Sequence, residues 1–91
     1  MPAARLEIIE AQDWYENEAA GLGARFRAEL DRQALRILAN PQQFPLMLAG
    51  VRRARLRRFP YGLFFRSLDD AIYVIACFHS SRDPLLWQSR T

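Results

Sequence analysis

The chain has 91 residues, 51% of them hydrophobic and 25% charged, which predicts one domain and rules out intrinsic disorder. Its longest uncharged apolar run, Ala71 to Phe78, falls far short of the ~20 residues a membrane span needs, and Arg5, Glu7 and Glu10 interrupt any signal-like segment. All thirteen basic residues are arginine. Residues 1–50 carry five of them against seven acids and residues 51–91 eight against three, so the net +3 divides into −2 and +5 and directs the second half towards an anionic partner.

The first stretch predicts a helix: Pro2 suits a first turn, and Ala4, Ile8, Ala11 and Tyr15 follow at helical steps, with Trp14 widening the stripe and Glu7, Glu10, Asp13 and Glu16 opposite. Gly21 and Gly23 break the pattern. A second helix is expected from about Ala24 to Ala39, burying Leu22, Phe26, Leu30, Ala34 and Ile37 with Leu38 beside them, while Arg25, Glu29, Arg32 and Arg36 face outward. Asn40-Pro41 ends it, and the short connection makes an antiparallel hairpin.

Pro41 to Gly50 reads as a loop anchored by Phe44, Leu46, Met47 and Leu48. The period then changes to two. Ala54 and Leu56 alternate with Arg53, Arg55 and Arg57, which predicts a strand with one apolar and one guanidinium face. Phe59-Pro60-Tyr61-Gly62 bends the chain, Leu63 to Leu68 forms a second strand, Asp69-Asp70 a tight turn, and Ala71 to His79 a third strand. That last strand is apolar on both faces, with Ile72, Val74, Ala76 and Phe78 on one and Tyr73, Ile75 and Cys77 on the other, which predicts an interior strand under the hairpin. Asp83-Pro84 suits the start of a short final helix bearing Leu85, Leu86 and Trp87. The expected fold is α+β: an N-terminal antiparallel helical hairpin packed on a small antiparallel β-sheet, with a short C-terminal helix or tail.

Arg52, Arg53, Arg55, Arg57 and Arg58 are the strongest chemical signal. Five guanidinium groups within seven residues exceed what a solvated edge needs and suit bidentate binding of phosphates or carboxylates. His79, the single histidine, has the right ordinary pKa for acid–base work, but no second base lies near it in sequence, so a strand-end imidazole is the plainer reading. Cys77, the single cysteine, excludes an intrachain disulfide and fits a reducing cytosol; it reads as packing rather than as a nucleophile paired with His79. Trp14, Tyr15 and Phe26 read as core, with Trp14 and Trp87 also candidate partner contacts. Asp69-Asp70 reads as a turn and Asp13 with Glu16 as a solvated face. No phosphate loop, dinucleotide fingerprint or metal-ligand spacing occurs, so no cofactor or metal is expected.

Asp-Trp-Tyr-Glu at 13–16, Gly21-Leu22-Gly23-Ala24-Arg25-Phe26 and Asn40-Pro41 resemble the first half of the RelE/ParE toxin superfamily. Val51-Arg52-Arg53, the run from Arg57 to Arg66 and His79-Ser80-Ser81-Arg82-Asp83-Pro84 resemble its second half. The wording around Phe59-Pro60-Tyr61 and from His79 to Pro84 is closer to the ParE-like branch. The resemblance implies a cytoplasmic toxin of a type II toxin–antitoxin pair, neutralised by a cognate antitoxin and acting on DNA gyrase by binding. The alternatives it leaves are a RelE-like, ribosome-dependent mRNA endoribonuclease using His79 with Arg58 and Arg82, and a degenerate toxin that keeps only antitoxin binding. A lysine-free chain with no tyrosine after Tyr73 is poorly equipped for the nuclease, since arginine does not readily give up a proton. The family normally opens with a strand that this sequence lacks, which would expose a sheet edge for an antitoxin strand or a second copy to cover.

Overall fold

Two helices followed by four antiparallel strands make the α+β architecture that the patterning predicts, in a computed structural model that describes residues 2–80. Helix α1 (Pro2–Glu18) buries Ala4, Ala11 and Tyr15, and α2 (Leu22–Ala39) buries Phe26, Leu30, Gln33 and Ile37. No strand precedes α1 among the described residues. The stripe of α2 passes through Gln33, not Ala34, so a polar side chain takes a core position that an apolar count skips.

Gly21 makes the turn between the helices with φ at 86°, a left-handed conformation that glycine adopts without strain. Glu16, near the end of α1, accepts hydrogen bonds from the N–H groups of Gly21 and Gly23, each at 3.0 Å. A carboxylate therefore meets the positive end of α2 and replaces the missing N-cap side chain. Asn40 ends α2 and caps the following 3₁₀ turn (Pro41–Gln43) by accepting from the Gln42 N–H.

The sheet runs β1 (Leu46–Leu48), β2 (Val51–Arg55), β3 (Tyr61–Leu68) and β4 (Ala71–His79), in that spatial order. Two expectations change here. The segment expected as a loop contains β1, too short and too uniformly apolar to show alternation, with Ala49 and Gly50 both at positive φ in a tight turn. The strand expected in the interior, β4, lies at the sheet edge, and β3 is the buried neighbour of both β2 and β4. Helix α1 covers β4, and Glu7 accepts from the Cys77 backbone N–H at 3.1 Å, which occupies one edge donor.

A β-bulge explains why β4 is apolar on both sides. Phe64 stands opposite Ala76 and Phe65 opposite Val74, leaving Ile75 as the extra residue. Below the bulge Val74 packs towards the helices; above it Cys77 does, whereas Ile75, Ala76 and Phe78 share the outer face. Strict alternation put Ala76 and Phe78 with Val74, and the inserted residue reverses that.

The main core lies between hairpin and sheet, built from Tyr15, Phe26, Leu30, Ile37, Phe44, Leu56, Phe59, Leu63, Phe65 and their neighbours. A second cluster of Val51, Phe64, Ile75, Ala76 and Phe78, with Met47 against it, forms on the outer face. Trp14 is not core: it is 57% exposed and touches Tyr15 edge-on at 5.0 Å. Leu38 is exposed as well. The expected C-terminal helix lies outside the described residues.

Candidate functional site

The arginine run does not form one surface. Because β2 alternates, Arg52 turns to the helix side, where its Nη1 donates to the Phe44 carbonyl at 2.7 Å and ties the 3₁₀ connection to the sheet. Arg53 and Arg55 turn outward beside Phe64 and Gly62. Arg57 and Arg58 leave the strand for the β2–β3 turn.

Arg53 and Arg55 line a cavity of about 310 Å³ at the end of the outer face, with Leu56, Phe59, Pro60, Tyr61, Phe64, Phe78, His79 and Ser80. The Arg53 stem lies over Gly62, where an added Cβ would stand 3.4 Å from Arg53 Cγ, an ordinary contact distance. The Nε atoms of Arg53 and of Arg66 are shielded from solvent and have no hydrogen-bond partner among the described residues. Two arginines over an aromatic and aliphatic floor suit an anion carried on an apolar body, since guanidinium groups bind carboxylate or phosphate in a planar fork.

His79 stands opposite Tyr61 across the β3–β4 ladder, ring centroids 5.2 Å apart and nearly perpendicular. It borders both this cavity and a smaller one of about 260 Å³ with Glu7, Glu10, Trp14, Tyr61 and Cys77. Cys77 is inert there. Burial, and secondarily the Glu7 charge, push its thiol up to about 12, so almost no thiolate exists near neutrality. Burial first and Tyr61 second also raise the Tyr15 phenol above its ordinary value.

Arg57 and Arg58 line a third, larger groove of about 860 Å³ between the turn and α2, together with Arg25, Arg32, Glu29 and Ala28. The turn is held at both ends. Leu56 N–H donates to the Tyr61 carbonyl at 2.9 Å, and Arg58 sits at φ 70°, a left-handed conformation unusual for a side chain of its size. From α2, Glu29 accepts the Arg57 backbone N–H at 3.1 Å and also pairs with the Arg32 guanidinium, while buried Gln33 donates to the Arg55 carbonyl. The Arg32 hydrogen bond holds the Glu29 carboxyl below its ordinary pKa. Gln33 is satisfied at its other end by Arg36 Nη1, at 3.2 Å.

Of the sequence candidates, the cavity brings together His79, Arg53 and Arg55, and the groove holds Arg58 and Arg57. His79 and Arg58 therefore border different recesses, and Arg52 belongs to neither. Trp14 stands exposed by the acidic recess. Arg82 and Trp87 lie outside the described residues. Sequence reading missed the positioning roles of Glu29 and Gln33; their spacing of four on α2, with Gln33 inside an apolar stripe, is the signal that was present. Among the described residues no three His, Cys, Asp or Glu side chains approach closely enough to hold a metal ion, and no helix is long and apolar enough to cross a membrane.

Residues 1–84 match the family model described as the ParE toxin of the type II toxin–antitoxin system, parDE. No curated protein and no solved structure gives a match. The matched span includes the hairpin, all four strands and the arginine-bearing turn, and on it the chain belongs to the ParE toxin family of type II toxin–antitoxin systems.

Proposed function

We propose that this chain is the toxin of a cytoplasmic toxin–antitoxin pair, that it inhibits DNA gyrase by binding rather than by covalent chemistry, and that a cognate antitoxin neutralises it. The observation that carries the binding mechanism is the separation of His79 from Arg58 into different recesses. Cleaving RNA through its 2′-hydroxyl needs a base, an acid and a charge stabiliser around one phosphate. Of the trio expected for that work from sequence, His79 and Arg58 border different recesses and Arg82 lies outside the described residues, and family membership favours gyrase. Arg53 and Arg55, on a face that also carries apolar side chains, are the contacts this reading assigns to partner proteins, with the exposed Trp14 as a further one.

A second reading has its own support. His79, Arg53 and Arg55 border one cavity, which supplies a proton carrier beside two charge stabilisers, as a ribosome-dependent endoribonuclease would use. A paired assay separates the two. Purified protein, wild type and His79→Ala, is tested for gyrase-linked DNA breaks and for translation-dependent mRNA cleavage. Binding predicts trapped breaks that change at most a few-fold with His79→Ala and no RNA cleavage. Codon-dependent cuts that fall about 10²–10⁴-fold with His79→Ala would overturn the gyrase assignment.

A further inference from the structure

We propose that the cavity at the end of the outer sheet face is a binding site for a small amphiphilic anion: one carboxylate or phosphate group on a compact apolar body. This goes beyond the toxin reading and does not rest on it. The first argument is charge. Arg53 and Arg55 border the cavity, and its described lining includes no acidic side chain. Neither guanidinium forms an ion pair among the described residues, in contrast to Arg27 and Arg32 on α2, whose charges Asp31 and Glu29 meet. Two positive charges without a counter-charge, set beside an apolar wall, favour an anionic occupant.

The second argument is the state of Arg53. Its Nε is shielded from solvent and donates to nothing among the described residues, while its stem lies over Gly62. A donor so placed has given up water without gaining an acceptor in the protein. Turning the guanidinium towards the cavity costs Nε no hydrogen bond. It presents the Nε–Nη2 edge, which can grip two oxygens of one acid group. Arg55 follows on the same side of β2, about 6.6 Å further along the strand, so both side chains can reach one acid group.

The third argument is the wall. At about 310 Å³ the cavity lies at the lower end of the range for small-ligand pockets. Leu56, Phe59, Phe64 and Phe78 line it and are themselves buried, so core packing forms it before any ligand arrives. The same rings argue against nucleic acid. Phe64 and Phe78 pack on each other at 5.8 Å, and Phe59 packs edge-on against Phe26 at 5.3 Å, so these buried rings offer no open face on which a base could stack.

The test is a heteronuclear NMR titration of the full chain with four probes: naphthoate, naphthyl phosphate, neutral naphthalenemethanol and a short single-stranded RNA. At least one of the two anions should shift the backbone amides of Gly62 and Ser80, and the tighter binder assigns the acid group. The neutral alcohol should bind at least about tenfold more weakly. Arg55→Gln, at an exposed strand position, should weaken anion binding roughly five- to tenfold. Arg53→Lys keeps the charge but not the fork and should weaken it roughly three- to fivefold. Arg5→Gln, on α1 away from the cavity, should change it less than about twofold. No shift with either anion, equal binding of the alcohol, equal loss with Arg5→Gln, or RNA moving the same amides at lower concentration than both anions would each overturn the proposal. The titration contains neither gyrase nor ribosome, so its failure removes this site alone, whereas failure of the toxin reading would appear in the gyrase assay.

Discussion

Gly23→Ala should open the helical hairpin, even though alanine is the better helix former. An ideal Cβ at Gly23 would stand 2.7 Å from the Gln12 carbonyl oxygen and 2.9 Å from Glu16 Oε1. The first is helix backbone and cannot move alone; the second is the carboxylate that caps α2. Restoring normal contact moves the helices apart by roughly 0.5–1 Å at their closest point. Overpacking of this kind costs about 1–3 kcal/mol, and weakening the cap adds to it. The gain in helix propensity returns at most about 1 kcal/mol, and less this close to the helix start. The balance is a loss of about 2 kcal/mol, or roughly 10 °C in melting temperature for a chain of this size. Urea and thermal denaturation followed by circular dichroism measure it. Gly21→Ala is the control for backbone strain, since no atom lies within 4 Å of its Cβ and only the positive φ opposes it, at a cost of about 1 kcal/mol. A Gly23→Ala variant as stable as the wild type would refute the close approach.

Three further outcomes follow from single side chains. Cys77 should label with thiol reagents only on unfolding, because a thiol pushed up to about 12 in the folded state leaves roughly one thiolate in 10⁴ at pH 8; stoichiometric labelling of native protein within minutes would contradict this. The depressed Glu29 carboxyl contributes stability that is fully present above the ordinary glutamate pKa of about 4.3 and is lost as pH falls through the folded value. Glu29→Gln should therefore reduce stability at pH 7 by on the order of 1 kcal/mol, discounted for solvent around Arg32, and flatten the acid limb of the stability profile. Gln33→Leu should cost about 1–3 kcal/mol in urea denaturation, since it leaves the Arg55 carbonyl at the end of β2 without its donor.

The hairpin, the Asp69-Asp70 turn and the long final strand could be read from the sequence because each rests on local pattern: a 3.6 period, a pair of residues that tolerate left-handed backbone, and a continuous apolar run. Asp69 and Asp70 do take positive φ values, 49° and 64°. The failures share a cause, which is that they depend on partners distant in the chain. Whether β4 lies inside or at the edge depends on which strand lies beside it, and an apolar run carries no record of that. The bulge at Ile75 inverts the facing of the residues after it without any glycine or proline to announce it. The arginine run was visible, but its division was not. Arg52 is committed by the Phe44 carbonyl, Arg53 faces outward by its place in the β2–β3 register, and the Arg57 backbone N–H is held by a carboxylate 28 residues away on α2. Trp14 reads as core on a helical wheel, yet it stands at the border of the stripe where α1 meets solvent beside the acidic recess.

The central claim is that this ParE-family chain acts on gyrase through binding surfaces, without moving a proton of its own. The most direct measurement incubates purified protein with gyrase and supercoiled plasmid and quantifies enzyme-linked DNA breaks, with and without Arg53→Glu/Arg55→Glu. The account predicts breaks that accumulate with wild-type protein and fall with the double substitution. An absence of breaks, together with mRNA cleavage on translating ribosomes that is lost with His79→Ala, would contradict it.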